Sequence, residues 1–205
     1  MGELDRTITL AINGLHCPTS DAFWIFLSDK VTTAVIYIIV LAIMFWKLGW
    51  KKALFMLLTT AIILGLEDQI CNLIKDFTAR LRPGNDPIML ERGLYLPIPA
   101  SARQIHGFPS AHAANAFGFL TCVTMFFMAG AKGRFGEAAL QPETGKVVKW
   151  VVGVLSVWAF LISLSRVFLA RHYVGDILFG GFLGWILAFG GCMFALYLWR
   201  RYSKK

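Results

Sequence analysis

WVVGVLSVWAFLISLSRVFLARHYVGDILFGGFLG, the stretch from Trp150 to Gly184, decides how this chain folds. It is two apolar runs joined by a short polar junction that carries Ser165, Arg166, His172 and Asp176. Charge placed where two long apolar runs meet is costly unless it is used. If the chain is helical from Tyr173 onward, His172 and Asp176 stand one turn apart on one face, where the carboxylate can accept a hydrogen bond from the imidazole. That makes His172 a candidate nucleophile, with Asp176 fixing its tautomer and stabilising the imidazolium formed on attack. The same pair also fits a helix cap or a satisfied interfacial contact.

Outside this stretch the composition continues in the same sense. Of 205 residues, 57% are hydrophobic and only 16% charged, an excess of apolar side chains that points to lipid as the solvent. The expected fold is all-α: a polytopic membrane helix bundle of about five transmembrane helices plus an N-terminal interfacial helix, with residues 1–205 forming one membrane domain. The first residues include Glu3, Asp5 and Arg6 and lack the pattern of a removable signal peptide, so the mature chain is expected to start at or near Met1. Cys17, Cys71, Cys122 and Cys192 have no short spacing between any two and read as packing residues. A net charge of +8 is carried by short connections and the tail, where lysine and arginine meet lipid headgroups, and nucleic acid is not an expected partner.

In order along the chain, Leu4, Ile8, Ala11, Ile12 and Leu15 recur at helical spacing with Asp5, Arg6, Thr9 and Asn13 opposite, so residues 1–29 are read as an interfacial segment. The crossings between 31 and 199 follow. The first spans Val31 to Trp46, and the second Ala53 to Leu81, stopped by Pro83 and carrying Asp68, Lys75 and Arg82 on one face. Glu67 and Asp68 near membrane depth call for partners, such as a basic site residue. Residues 84–108 form an extracytoplasmic loop. The third crossing runs from Pro109 to Ala131, a polar connection from Lys132 to Lys149, the fourth crossing from Trp150 to Leu164, and the fifth from Val174 to Trp199. Gly180, Gly181, Gly184, Gly190 and Gly191 in the last are expected to allow close helix packing.

Five crossings bring the end of the second, the start of the third and the junction of the fourth and fifth to one side of the membrane. That side collects Lys75, Arg82, Ser110, His112, Arg166, His172 and Asp176. More lysine and arginine lie on the opposite side, which places the tail in the cytoplasm and the cluster outside. Two arginines and a lysine make an anion clamp suited to phosphate. Ser110 can cap the third crossing, whose first amides add donors. A nucleophilic histidine, a second histidine able to protonate a leaving oxygen and such a clamp are what phosphoryl transfer requires. No metal-ligand spacing is evident, so neither a metal nor a cofactor is expected.

The motifs carry a resemblance. Lys75 to Pro83 reads KDFTARLRP, Pro109 to His112 reads PSAH, and Ser165 to Asp176 reads SRVFLARHYVGD. In order and spacing these resemble the three signatures of the type 2 phosphatidic acid phosphatase family of membrane lipid phosphatases. The resemblance implies that Lys75, Arg82 and Arg166 hold phosphate, that Ser110 donates to it, that His112 protonates the leaving group, that His172 forms a phosphohistidine and that Asp176 orients it. Ala111 stands where the family usually has glycine; its N–H remains available to phosphate, and although alanine resists positive φ, which leaves the donor geometry open to change, activity is expected to survive because the side chains that carry charge and protons are all present. Arg80, Arg103, Gln104, His106 and Arg171 lie near the clusters and read as solvated loop residues, and His16 as a bystander. The leading substrate is undecaprenyl diphosphate, converted to undecaprenyl phosphate at the outer face of a bacterial plasma membrane. Phosphatidylglycerophosphate and lipid A phosphates follow, then lipid-to-lipid phosphotransfer, and, as a different class, a non-catalytic lipid-binding or transport subunit.

Overall fold

A computed structural model describes residues 2–100, 102–131 and 142–202. The described chain is all-α: α1 (Glu3–Asn13), α2 (Pro18–Ser28), α3 (Lys30–Leu48), α4 (Trp50–Thr78), a 3-10 turn at Pro83–Asn85, α5 (Pro87–Glu91), α6 (Ala111–Ala131), α7 (Pro142–Phe168) and α8 (Val174–Tyr202). Among the described residues, α3, α4, α6, α7 and α8 are the five helices long and apolar enough to cross a membrane. The chain is an integral membrane protein.

Local chemistry sets most boundaries. Cys17 and Ser20 cap α2 reciprocally with Pro18 in its first turn, and the Asp29 carboxylate starts α3 by accepting from Val31 N at 2.8 Å and Thr32 N at 3.1 Å. Gly49, at φ 79°, makes the turn between α3 and α4. At 29 residues, α4 and α8 each exceed the hydrocarbon thickness, so their ends reach into the headgroup region.

The second crossing ends earlier than expected. α4 stops at Thr78 because Ala79 turns left-handed at φ 47°, and Arg82 therefore lies beyond the helix, not on its face with Asp68 and Lys75. The fourth crossing starts earlier, at Pro142, so the polar connection is shorter than Lys132 to Lys149; residues 132–141 lie outside the described residues. The loop after α4 holds two short helical turns of its own.

α6 is central. It is buried over most of its length against α4, α7 and α8, whose other faces carry exposed Phe77, Phe160, Leu178 and Phe194 toward lipid. Contact with α8 is close enough that a Cβ at Gly180 or Gly184 would overlap the carbonyls of Ser110 and Ala114. Gly181 and Gly191 also face neighbours, whereas Gly190 opens on free space and serves no packing role. Cys122 and Cys192 are buried, with their sulfurs 3.5 Å apart across the same seam. The Glu67 carboxylate is buried with neither oxygen hydrogen-bonded, and a Cβ at Gly118 would overlap it, so among the described residues it has no hydrogen-bonded basic partner of the kind expected.

α1 turns its polar face to the protein. Its polar residues Thr9 and Asn13 are buried, while Leu4 and Ile8 are 73% and 41% exposed. The polar face packs on the protein because the chain ends beneath it need partners. Asn13 Nδ2 donates to the Tyr95 and Phe168 carbonyls at 3.1 and 3.0 Å, and Asn13 Oδ1 accepts from Tyr95 N at 2.9 Å.

Candidate active site

Arg82 is positioned by a short backbone pairing. Leu81 bridges His106, Arg82 N donates to the Ile105 carbonyl at 2.8 Å, and Gly107 N donates to that of Arg80 at 2.8 Å. The guanidinium adds a bond from Nε to the His106 carbonyl at 3.0 Å. Gly107 is needed at this crossing, since a Cβ there would lie 3.0 Å from Arg82 Cγ and 3.3 Å from Asp176 Oδ2.

Ser110 is the residue before α6. Its carbonyl accepts Ala114 N, its hydroxyl lies 3.4 Å from Ala113 N, and its own N–H donates to the Asp176 carbonyl at 3.0 Å. That last bond ties the start of α6 to the start of α8. Ala111 is the first residue of α6 in ordinary helical geometry; among the described residues positive φ outside glycine occurs only at Ala79 and Ala170. The backbone here makes no demand for the positive φ that alanine resists.

Lys75, Arg82, Ala111, His112 and His172 all line one cavity of about 570 Å³. Asp68, Arg103, Gln104 and His106 line it too, so the last three belong to its wall and are not merely solvated loop residues. Deeper in the bundle the same cavity is walled by Tyr37, Asn115 and Trp158. Arg166 is buried, with Nη1 bonded to Ser28 Oγ and Nε left without a partner. Lys75 Nζ reaches Asn72 Oδ1 at 3.1 Å.

His172 and Asp176 are both buried, and His172 Nδ1 lies 3.6 Å from Asp176 Oδ2. That is ion-pair range but longer than a hydrogen bond, a difference from the expected contact. The reason lies in what else holds the carboxylate: Oδ2 accepts from Tyr173 N at 2.9 Å, closing half of a capping box at the start of α8, and Oδ1 is paired with Arg80. His172 is pushed well below the ordinary imidazole value by burial first, then by Arg166, Arg82 and Lys75. It is neutral at physiological pH. Arg82 is likewise lowered by burial and by Arg171, though it stays cationic. The cavity thus sets Lys75, Arg82 and Arg103 around a neutral imidazole, with Asp68 and Asp76 also in its wall, and an anion would meet several cations there.

Arg80, read from sequence as a solvated loop residue, is instead part of the network behind the site. It pairs with Asp176, pairs with Asp5 of α1 at 2.7 Å, and lies 4.0 Å above the Tyr173 ring. The helical register of Asp5, Thr9 and Asn13 was the available signal, but periodicity does not say which face of a short helix meets protein. His16 stacks on Tyr95, away from the cavity. Among the described residues no three His, Cys, Asp or Glu side chains come together as a set able to hold a metal ion.

Comparison with known proteins agrees with this picture. The family model described as the PAP2 superfamily matches residues 50–204. The chain is 29% identical over 194 residues to a lipid A 4'-phosphatase of Bacteroides thetaiotaomicron, covering 92% of this chain and 77% of that protein. It is 26% identical over 155 residues to phosphatidylglycerophosphatase B of Bacillus subtilis, covering 76% and 63%. The fold is similar to the crystal structure of a transmembrane PAP2-type phosphatidylglycerolphosphate phosphatase from Bacillus subtilis (TM-score 0.65, 24% identity, 93% of this chain and 84% of that one). It is also similar to that of Aquifex aeolicus LpxE (TM-score 0.64, 22% identity, 94% and 96%). A family model that takes in Lys75, Arg82, His112 and His172 and all but the first of the five long helices leads to one assignment: the chain belongs to the PAP2 superfamily, as a membrane protein of the lipid phosphatase type.

Proposed function

We propose that the protein hydrolyses a lipid phosphate without a metal, through a phosphohistidine at His172. The observation that carries this reading is the convergence of Lys75, Arg82, His112 and His172, from separate parts of the chain, on one cavity. The neutral imidazole of His172 attacks phosphorus as the bond to the lipid oxygen breaks, and His112 gives that oxygen its proton. Lys75, Arg82 and Arg166, with the Ser110 hydroxyl and the Ala111 N–H, hold the phosphoryl oxygens through the transition state. Asp176 offsets the charge that appears on the imidazole. Water then attacks phosphorus, His112 takes its proton, and phosphate leaves with His172 restored.

The substrate we favour carries its phosphate on a bulky, hydroxyl-rich headgroup, as a phosphorylated glycolipid does. The cavity far exceeds one phosphate, and two buried atoms of its wall residues lack partners: Trp158 Nε1, a donor, and Asn115 Oδ1, an acceptor. A sugar hydroxyl answers both. The names of the relatives, lipid A 4'-phosphatase among them, support this ranking over undecaprenyl diphosphate. The active face is read as extracytoplasmic.

The test is phosphate release from purified protein over lipid A, phosphatidylglycerophosphate, phosphatidic acid and undecaprenyl diphosphate. Lipid A is expected to give the highest kcat/KM, activity to survive EDTA, and orthovanadate to inhibit. His172→Ala should lower kcat by about four orders of magnitude or more, as loss of a covalent nucleophile does. Unchanged turnover in that variant, or a strict Mg²⁺ requirement, would end the mechanism.

A further inference from the structure

α1 lies before the residues that the family model matches, yet its inward face closes the back of the site. Thr9 Oγ1 accepts from Val174 N at 3.2 Å and Asp5 Oδ1 accepts from Gly175 N at 2.9 Å. These are the first two amides of α8, which no residue of α8 itself can satisfy. The other oxygen of Asp5 pairs with Arg80 at 2.7 Å, and Arg80 pairs with Asp176. A second branch pins the residue next to His172: Tyr173 OH donates to Asp86 at 2.7 Å, and Asp86 is held by Arg6 of α1 at 3.2 Å. α1 therefore touches nothing in the cavity wall and holds the turn behind it from two directions.

Charge explains why Asp5 matters more than a cap. Arg80 alone on Asp176 would consume the negative charge meant for the imidazolium. With a carboxylate on each side, Arg80 is shared, and the Asp5, Arg80 and Asp176 triad keeps one net negative charge behind His172. The cationic groups around that imidazole work against its protonation: Lys75 on α4, Arg82 after it, Arg166 on α7 and Arg171 in the turn. Asp68 and Asp76 of α4 line the cavity in front of the imidazole; behind it, the balance comes from Asp176 on α8 and, through Arg80, Asp5 on α1.

We infer that Asp5 is a positioning residue for the proposed reaction: by sharing Arg80 it leaves the Asp176 carboxylate free to stabilise the charged form of His172 during phosphoryl transfer. This rests on His172 being the nucleophile. It makes α1 part of the working enzyme and not a membrane anchor alone.

The experiment compares variants of the full chain in lipid micelles. Asp5→Asn is expected to lower kcat about tenfold, the scale of one hydrogen bond to a charged group, with KM within about twofold. The acid limb of kcat/KM should move to lower pH, because the imidazole loses a negative charge from its surroundings and takes a proton less readily. Thr9→Val removes only the cap on Val174 and should leave the limb where it is. In an Arg80→Gln background, Asp5→Asn should add less than about twofold, since the path through Arg80 is already cut. That pair also carries the test should Asp5→Asn alone not accumulate as folded protein. Wild-type kcat and limb in Asp5→Asn, equal displacement of the limb by Thr9→Val, or a full additional loss on top of Arg80→Gln would each overturn the inference. His172→Ala run in parallel separates the two readings: activity there defeats the nucleophile assignment, whereas a dead His172→Ala beside an unaffected Asp5→Asn defeats only the role of α1.

Discussion

His172 is buried among Lys75, Arg82 and Arg166, and its free imidazole has one favourable state, the neutral one. The acid limb of kcat/KM, which reports the free enzyme, should therefore fall below the ordinary value of 6.5. Stability follows with a definite sign. Below about pH 6.5 the unfolded chain binds a proton that folded His172 refuses, so stability declines as pH falls through that window. His172→Gln should flatten the dependence of Tm on pH between about 7 and 5; an unchanged slope would assign the loss to other groups. At this scale the motif residues were legible because their types and spacing state their chemistry. The contacts of Asp176 were not. Arg80 lies 96 positions away and reaches Asp5 across another 75, and no local pattern encodes a carboxylate shared between a cap and a distant guanidinium.

The helices that carry His112 and Asp176 approach backbone to backbone. Gly184→Ala would drive a methyl into the Ala114 carbonyl and should cost about 3 kcal/mol, whereas Gly190→Ala meets nothing and should stabilise by about 0.5 to 1 kcal/mol. Thermal unfolding in one detergent checks the contrast; equal effects would mean the seam can open without strain. The five crossings were readable from apolar length alone, but a glycine's partner was not, since small residues at helical spacing look the same whether they face protein or lipid. The end of α4 was hidden for a related reason. Pro83 signals a stop near itself, while the actual break at Ala79 comes from pairing of residues 80–82 with 105–107, a tertiary cause.

For the molecule as a whole, counting crossings was enough to bring three remote motifs to one side, because helices that alternate direction leave no other choice. Orientation of that side is a separate matter, argued from the distribution of lysine and arginine. A Glu91→Cys substitution, placed in a variant with the four native cysteines replaced by alanine, should react with an impermeant thiol reagent on intact spheroplasts. Labelling only after lysis would reverse the orientation. The side of α1 that meets the protein was not legible, since an amphipathic helix beside a bilayer can offer either side to the protein.

The outward apolar side chains of α1, Leu4 and Ile8, have a practical bearing on how the protein is handled. Nothing but surrounding amphiphile covers them, so solubilisation in short-chain, delipidating surfactants will loosen α1 while the five long helices still register intact by circular dichroism. Turnover will then fade ahead of ellipticity and return when phospholipid is added back, even with a water-soluble phosphate ester in the assay.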